Sequence, residues 1–390
     1  MGKSEAFTKL QITEGNKTVL CLDGGGIRGI LTIQLLKKLE ELAGMPCYEL
    51  FDMVAGTSTG GIIAGLVACG KTATEIEALY KNLVNKVFER RSLLANQIID
   101  PPLYSKKNYR TLLATVVGKT TTLQTACAET GIDLVITGKD VSAGEETFFT
   151  CFKETNGTFT GTYKDVLLRA VMEATMSAPT YFTPLERFVD GGTTTYNNPS
   201  LGAIIEGVHY GPEGKYALDK LTVFSFGTGT TVRIVDPKYV VNPKGADALF
   251  WLKYIMSESG QDASDMQVDT IRRVMTPQGL DYRRFQLSLD ETAIKKLDNR
   301  DISDVPHAGA DWLWDLTDKD LNGIALDDVA KFDLMAVIGQ AMTDYVMKHG
   351  GEFTKDLQED GRDLLVTRTG DIDRIKAQMS SVKWLDGFEV

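Results

Sequence analysis

The sequence predicts an α/β fold in three layers, in which helices cover both faces of a mostly parallel central sheet. Strand-like apolar runs alternate with helical patterns along the first 230 or so residues, and strands separated by helices are typical of parallel sheets. Beyond about residue 240 helices and polar loops dominate. We therefore expect residues 17–232 to form the core and residues 233–390 to form a helical addition packed on it.

The individual elements follow from local patterns. Apolar runs bounded by turn residues predict strands at 17–23, 51–58, 132–140, 146–152 and 220–231. Apolar residues at helical spacing predict helices at 29–44, 59–70, 164–176 and 245–267. In the first of these helices Leu35 and Leu39 lie on one face, and Gly44 is the expected stop.

Composition and charge exclude several classes of protein. The net charge is -11 and no block of Lys and Arg is present, which argues against a nucleic acid polymer as partner. For the same reason, contact with lipid would have to rely on apolar groups. The five cysteines form no C-x-x-C pair and no secretory signal is evident, so we expect a cytoplasmic protein without disulfides.

A glycine-rich turn follows the first predicted strand, in "VLCLDGGGIRGI". Gly24, Gly26 and Gly29 satisfy the dinucleotide-binding pattern G-x-G-x-x-G, which expects an acidic residue about 20 positions further on. Here Glu40 and Glu41 lie inside the predicted helix 29–44. Amides of such a turn also form an anion site that suits the oxyanion of an ester under attack, so the oxyanion interpretation is favoured over a nucleotide-binding module.

A candidate nucleophile lies where the second predicted strand meets its helix. "GTSTG" places Ser58 between Gly56 and Gly60 in a G-x-S-x-G pattern. In a strand-to-helix context this pattern predicts a sharp, strained turn that exposes the serine hydroxyl. That end of a parallel sheet is where α/β proteins place their ligands.

The base that such a serine requires has two candidates. Asp190 ends a short apolar run and is followed by two glycines, although a lone Asp-Gly-Gly is most often only a turn. His209 would complete a Ser-Asp-His order typical of α/β-hydrolases. However, it falls at the end of a helix predicted to start near Ser200, which favours a capping role. We expect an acid limb near pH 6.5 to mark a histidine base.

The ordered set "DGGGIRG", "GTSTG" and "DGG", with "SAPTYFTP" and "SFGTGTT" around the last, strongly resembles the patatin-like phospholipase family over residues 17–232. The resemblance implies Ser58 as nucleophile and Asp190 as its direct partner, a dyad without histidine. It also implies an oxyanion hole from Gly24, Gly25 and Gly26, and a structural or anion-stabilising role for Arg28.

The expected function is therefore that of a phospholipase A-type acyl hydrolase with broad lipase and esterase activity and no metal or cofactor. Its partners would be phospholipids at the inner face of the membrane, met peripherally. Some bacterial members of the family act in anti-phage defence and are activated by a cyclic dinucleotide, although no residue identifies such a site here. A catalytically idle lipid-transfer or storage protein on the same fold is the third alternative, besides the triad and the nucleotide module.

One acidic stretch partly matches a metal-binding loop. Asp318, Asp320 and Asn322 match the first half of a calcium loop, but its twelfth position is Val329 where a bidentate Glu is required. The histidines are isolated and show no zinc spacing. A solvated acidic loop is the favoured interpretation.

Overall fold

The computed structural model describes residues 2–88, 103–152, 163–231, 248–297, 313 and 315–367. Its strands are β1 (Lys17–Leu22), β2 (Met53–Gly56), β3 (Asp133–Asp140), β4 (Glu145–Phe149), β5 (Phe188–Asp190), β6 (Leu221–Phe226), β7 (Asp281–Phe285), β8 (Gln358–Glu359) and β9 (Arg362–Asp363). Its α-helices are α1 (Lys3–Lys9), α2 (Gly29–Ala43), α3 (Cys47–Leu50), α4 (Thr59–Ala68), α5 (Ala73–Val87), α6 (Lys107–Val116), α7 (Leu123–Thr130), α8 (Leu168–Thr175), α9 (Ser200–Ile205), α10 (Ala248–Thr270), α11 (Glu291–Lys296), α12 (Asp318–Leu321) and α13 (Phe332–His349).

The central sheet is mostly parallel, as predicted. Its strand order is β4-β3-β2-β1-β6-β7, and β5 pairs with β3 beside this path. The pairs β1–β2, β2–β3, β1–β6 and β6–β7 are parallel, whereas β4 and β5 run antiparallel to β3. Strand β7 was not predicted, because its sequence DYRRF carries three charged residues. The part of the chain after residue 232 thus contributes a strand to the sheet as well as helices.

Alternate residues of β1 face two separate apolar cores, one on each side of the sheet, as expected for a fold in three layers. Leu20 and Leu22 pack into one apolar cluster, and Val19 and Cys21 pack into the other. Helices α2, α4, α5 and α13 lie in the first cluster, while α9 and α10 cover the second. This alternation follows from the two-residue period of a strand.

The end of the first long helix agrees with the prediction, whereas two other boundaries differ from it by a few residues. Helix α2 ends at Gly44, whose φ of 67° is left-handed, a conformation that glycine adopts without strain. The strand predicted at 51–58 ends at Gly56, because Thr57 and Ser58 belong to the turn that leads into α4. The helix predicted at 164–176 begins only at Leu168.

Three strand ends bring the candidate site together at one edge of the sheet. Leu22, the last residue of β1, is in register with Gly56 of β2 and with Phe226 of β6. The glycine-rich turn, the candidate nucleophile and the turn after β6 therefore all leave the sheet at the same carboxyl edge, as expected for parallel strands.

A buried ion pair links the glycine-rich turn to β7. Both guanidinium Nη atoms of Arg284 donate to the Asp23 carboxylate, at 2.8 and 2.5 Å. Arg284 also donates to Ser225 Oγ at 2.8 Å, and both charged side chains are almost fully buried. Because Asp23 immediately precedes the turn, this pair fixes the point at which the turn leaves β1.

Replacing Arg284 with Met should lower the free energy of unfolding by about 3–5 kcal/mol, because the Asp23 carboxylate would stay buried without its partner. Urea denaturation would measure the loss. Lys81→Ala is the matched control, since its ion pair with Asp333 is exposed and should be worth at most about 1 kcal/mol. Equal, small losses in the two variants would show that the buried pair does not support the fold.

Candidate active site

The turn at Ser58 is a strained strand-to-helix elbow. Ser58 has φ 53° and ψ −124°, a backbone conformation that side-chain-bearing residues rarely adopt. The glycines beside it are required by close backbone contacts. A Cβ on Gly56 would lie 2.2 Å from the Gly60 carbonyl oxygen, and one on Gly60 would lie 2.2 Å from the Leu22 carbonyl oxygen. The elbow is thus built by glycine on both sides of the serine.

Ser58 and Asp190 meet because both are placed by β3. Gly56 pairs with Ile136, and Asp190 pairs with Gly138 two residues further along the same strand. The short strand β5 therefore lies beside β3 just beyond the point where β2 ends. The Ser58 hydroxyl donates to Asp190 Oδ2 at 2.7 Å.

Both members of the pair are held by further hydrogen bonds. The Gly192 amide donates to the other Asp190 oxygen, Oδ1, at 2.7 Å. The Ser58 amide donates to Thr175 Oγ1 at 2.8 Å. Thr175, at the end of α8, was not identified from the sequence, and no local pattern marks it.

Burial changes the acid–base character of Asp190. The side chain is buried, and this burial raises the pKa of its carboxyl group to about 7, although the hydrogen bonds from Ser58 and Gly192 oppose the rise. A carboxylate with this pKa is a far better match for a serine hydroxyl than an ordinary aspartate. An acid limb near pH 7 is therefore expected from Asp190 itself, so an acid limb alone does not distinguish a histidine base from the dyad.

His209 lies at the opposite edge of the sheet. As predicted, a helix begins at Ser200, and it continues into a π-helical turn, Glu206–Tyr210, in which His209 is exposed. In the same turn Gly207 packs against the side chain of Met53, the first residue of β2. The turn that carries His209 thus lies at the amino end of β2, whereas Ser58 follows its carboxyl end, and this placement favours the dyad over the triad.

The glycine-rich turn lies directly beside the nucleophile, but its amides are not equivalent. The Gly24 amide donates to the Asn197 carbonyl at 3.1 Å, and the Gly25 amide donates to Thr59 Oγ1 at 3.2 Å. The Gly26 amide, in a left-handed residue with φ 57°, donates to no acceptor within the described residues. The Gly26 amide is therefore better placed than the Gly24 and Gly25 amides to bind an oxyanion.

The glycine-rich turn makes close contacts with other protein groups. The Ile27 amide donates to the Leu326 carbonyl at 2.8 Å, and a Cβ on Gly26 would lie 2.1 Å from that oxygen. Arg28 donates back to the Gly25 carbonyl through its amide at 3.1 Å and its Nε at 3.4 Å. The Leu326 carbonyl thus takes up one amide of the turn, and Arg28 closes the turn, which favours the oxyanion interpretation over the nucleotide-binding one.

The acidic loop has a structural use. Asp320 accepts hydrogen bonds from the amide and the hydroxyl of Thr317 and so caps α12. Asp318 accepts from the Glu291 amide at 3.0 Å. Within the described ranges, no three His, Cys, Asp or Glu side chains converge as metal ligands. No helix in those ranges is both long enough and apolar enough to cross a membrane.

The fold and site define a class: an α/β protein with a Ser-Asp pair at a nucleophile elbow beside a glycine-rich turn. Comparison with known proteins agrees. The sequence profile of the patatin-like phospholipase family matches residues 20–204, a range that contains both members of the pair. A cGAMP-activated phospholipase from Escherichia coli is 30% identical over 251 residues, which cover 60% of this chain and 67% of that protein. The chain belongs to the patatin-like phospholipase family.

Two further relatives show how much of each protein is shared. A cGAMP-activated phospholipase from Vibrio cholerae is 33% identical over 208 residues, covering 47% of this chain and 55% of that protein. The mouse 85/88 kDa calcium-independent phospholipase A2 is 29% identical over 223 residues, covering 55% of this chain and 28% of that enzyme. The similarity therefore spans about half of the Vibrio protein and little more than a quarter of the mouse enzyme.

Asp190→Asn should stabilise the fold progressively as the pH rises. In the wild-type protein the folded pKa of about 7 lies above the unfolded value of about 3.9, so wild-type stability falls as the pH rises to 7. The amide carries no charge and escapes this loss. Between pH 5 and pH 8 the difference in unfolding free energy should grow by about 2–3 kcal/mol in favour of the variant.

Urea denaturation of both proteins at pH 5, 6, 7 and 8 would measure this difference. A difference that is the same at all four pH values would contradict the raised pKa of Asp190.

Proposed function

We propose that this chain is a lipid acyl hydrolase of phospholipase A type, which cleaves fatty-acyl esters through a covalent acyl-Ser58 intermediate. The observation that carries this proposal is the 2.7 Å hydrogen bond from the hydroxyl of Ser58, at a strained elbow, to the buried carboxylate of Asp190. Membership of the patatin-like phospholipase family supports an ester of a lipid as the substrate.

The geometry supports a two-step reaction. Ionised Asp190 takes the proton of the Ser58 hydroxyl as Oγ attacks the ester carbonyl carbon, and the carbonyl electron pair moves onto oxygen. The Gly26 amide, which has no acceptor within the described residues, stabilises that oxyanion. When it collapses, the ester C–O bond breaks, and the leaving alcohol takes the proton from Asp190. Water then attacks the acyl carbon while Asp190 takes its proton. The bond between Ser58 Oγ and the acyl carbon breaks, Oγ takes the proton from Asp190, and the fatty acid leaves.

We further propose that the enzyme reaches its substrate peripherally at a membrane surface. Two exposed apolar side chains, Leu103 and Leu326, lie close to the site. The Leu326 carbonyl contacts the glycine-rich turn, and the neighbouring residues Tyr104 and Asp327 are joined by a hydrogen bond of 2.5 Å. With a net charge of -11, such apolar groups provide the means of contact with anionic lipid.

Variants of the dyad test the proposed chemistry. With p-nitrophenyl esters and phospholipid vesicles as substrates, Ser58→Ala should leave less than a few per cent of the activity, since it removes the nucleophile. Asp190→Asn should cost at least about 10³-fold, because the base is lost. His209→Ala is the matched control and should retain wild-type activity, given its place at the far edge of the sheet.

A fluorophosphonate probe should label the wild-type protein at Ser58 and fail to label Ser58→Ala. Full activity in Ser58→Ala, or losses of equal size in Asp190→Asn and His209→Ala, would contradict the dyad. A wild-type protein that neither reacts with the probe nor hydrolyses any ester would favour an idle lipid-transfer or storage protein.

We also propose that a cyclic dinucleotide activates the enzyme. The support is the similarity to two proteins named as cGAMP-activated phospholipases, of which this chain covers 67% and 55%. Addition of cGAMP should raise the hydrolysis of phospholipid vesicles at least tenfold, whereas a mixture of AMP and GMP should not. Hydrolysis that is unchanged by cGAMP and by other cyclic dinucleotides would contradict this regulation.

A further inference from the structure

The glycine-rich turn is held from behind by two side-chain hydroxyl groups that the catalytic steps do not use. The first belongs to Thr228, in the turn after β6, whose Oγ1 donates to the Gly24 carbonyl at 2.8 Å. The second belongs to Tyr80 of α5, whose hydroxyl donates to the Gly26 carbonyl. Both side chains are almost completely buried, so neither hydroxyl is exchanged for water.

Holding the Gly24 carbonyl fixes the direction of the Gly25 amide. The peptide unit between these residues is planar and trans, so its N–H points away from its C=O. Thr228 holds the carbonyl on one side, and on the other side the amide donates to Oγ1 of Thr59, the residue that follows Ser58, at 3.2 Å.

Thr228 also explains why residue 25 is glycine. A Cβ on Gly25 would lie 2.2 Å from Thr228 Oγ1 and 2.4 Å from its Cβ, so the threonine packs directly on the glycine backbone. Tyr80 makes a similar contact on the other flank, since a Cβ on Gly29 would lie 2.5 Å from the Tyr80 hydroxyl oxygen. Burial raises the pKa of Tyr80, which keeps this hydroxyl protonated as a donor.

We propose that Thr228 and Tyr80 are positioning residues of the oxyanion hole, whose hydroxyl groups fix the peptide units on either side of the one that carries the open Gly26 amide. This inference rests on the proposed acyl hydrolase function. Neither residue touches the substrate or the dyad. Each acts through a glycine carbonyl, and each matters most when negative charge develops on the substrate oxygen.

The test compares kcat, KM and the pH profile for p-nitrophenyl ester hydrolysis in matched variants. Thr228→Val keeps the shape and loses the hydroxyl, whereas Thr228→Ser keeps the hydroxyl. Thr228→Val and Tyr80→Phe should each lower kcat about tenfold with little change in KM or in the acid limb near pH 7, and Thr228→Ser should stay within about twofold of wild type.

Two control variants remove comparable hydroxyl groups elsewhere. Thr222→Val removes the acceptor for Asn16 Nδ2 at the start of β6, and Tyr216→Phe removes hydrogen bonds to Asp52 and Asp133. Both should keep wild-type kcat. Thermal unfolding of all variants identifies any loss of rate that comes from unfolded protein.

The possible outcomes separate the two proposals. Wild-type kcat in folded Thr228→Val and Tyr80→Phe would overturn the positioning role while leaving the acyl hydrolase intact. Equal losses in Thr228→Val and Thr228→Ser would also overturn it for Thr228, because packing rather than the hydroxyl would then matter. A wild-type protein without esterase activity would overturn the proposed function, and this inference with it.

Discussion

The close approach of three backbone segments at the carboxyl edge of the sheet is the constraint on which the candidate site depends. Gly60 lies over the carbonyl of Leu22, and Gly56 lies against Gly60. A Cβ on Gly24 would lie 3.1 Å from Ser58 Cβ. Because these positions have no side chain, the nucleophile and the glycine-rich turn lie in close contact. The surrounding structure maintains the strained backbone conformation of Ser58.

Burial of Asp190 affects both the stability of the fold and the basicity of its carboxylate. A carboxyl group with an ordinary pKa would be a poor base for serine, and removal from water raises its pKa to about 7. The same burial makes the ionised form costly in the folded state. The ionised carboxylate that acts as the base is therefore also the form that destabilises the fold. Bases with strongly shifted pKa values are common in active sites.

The C-terminal part of the chain is structurally integrated with the site. Strand β7 extends the sheet and supplies Arg284, which holds Asp23 at the start of the glycine-rich turn. Helix α13 crosses α2 so closely that a Cβ on Gly339 would lie 2.8 Å from Leu31 Cα. The Leu326 carbonyl accepts from the turn itself. Residues beyond 232 thus shape the geometry in which Ser58 and the turn operate.

The sequence by itself determined the fold class, the strand-to-helix place of Ser58, the glycine-rich turn and the candidacy of Asp190. These depend on local patterns: apolar periodicity, and glycines where the backbone must turn or pass closely. Strand β7 was missed because two arginines are not expected in a buried strand, and the partners that accept from Arg283 and Arg284 include Phe353 and Asp23, 70 and 261 positions away.

Only the tertiary structure decided which base meets the serine and which amides remain open. The register on β3 brings Asp190 to Ser58, while the path of α9 carries His209 to the opposite edge. The raised pKa of Asp190, and the hydrogen bonds from Thr228 and Tyr80 to the glycine carbonyls, depend on contacts between distant segments. Burial and hydrogen-bond partners are properties of the packed chain, and no local pattern contains them.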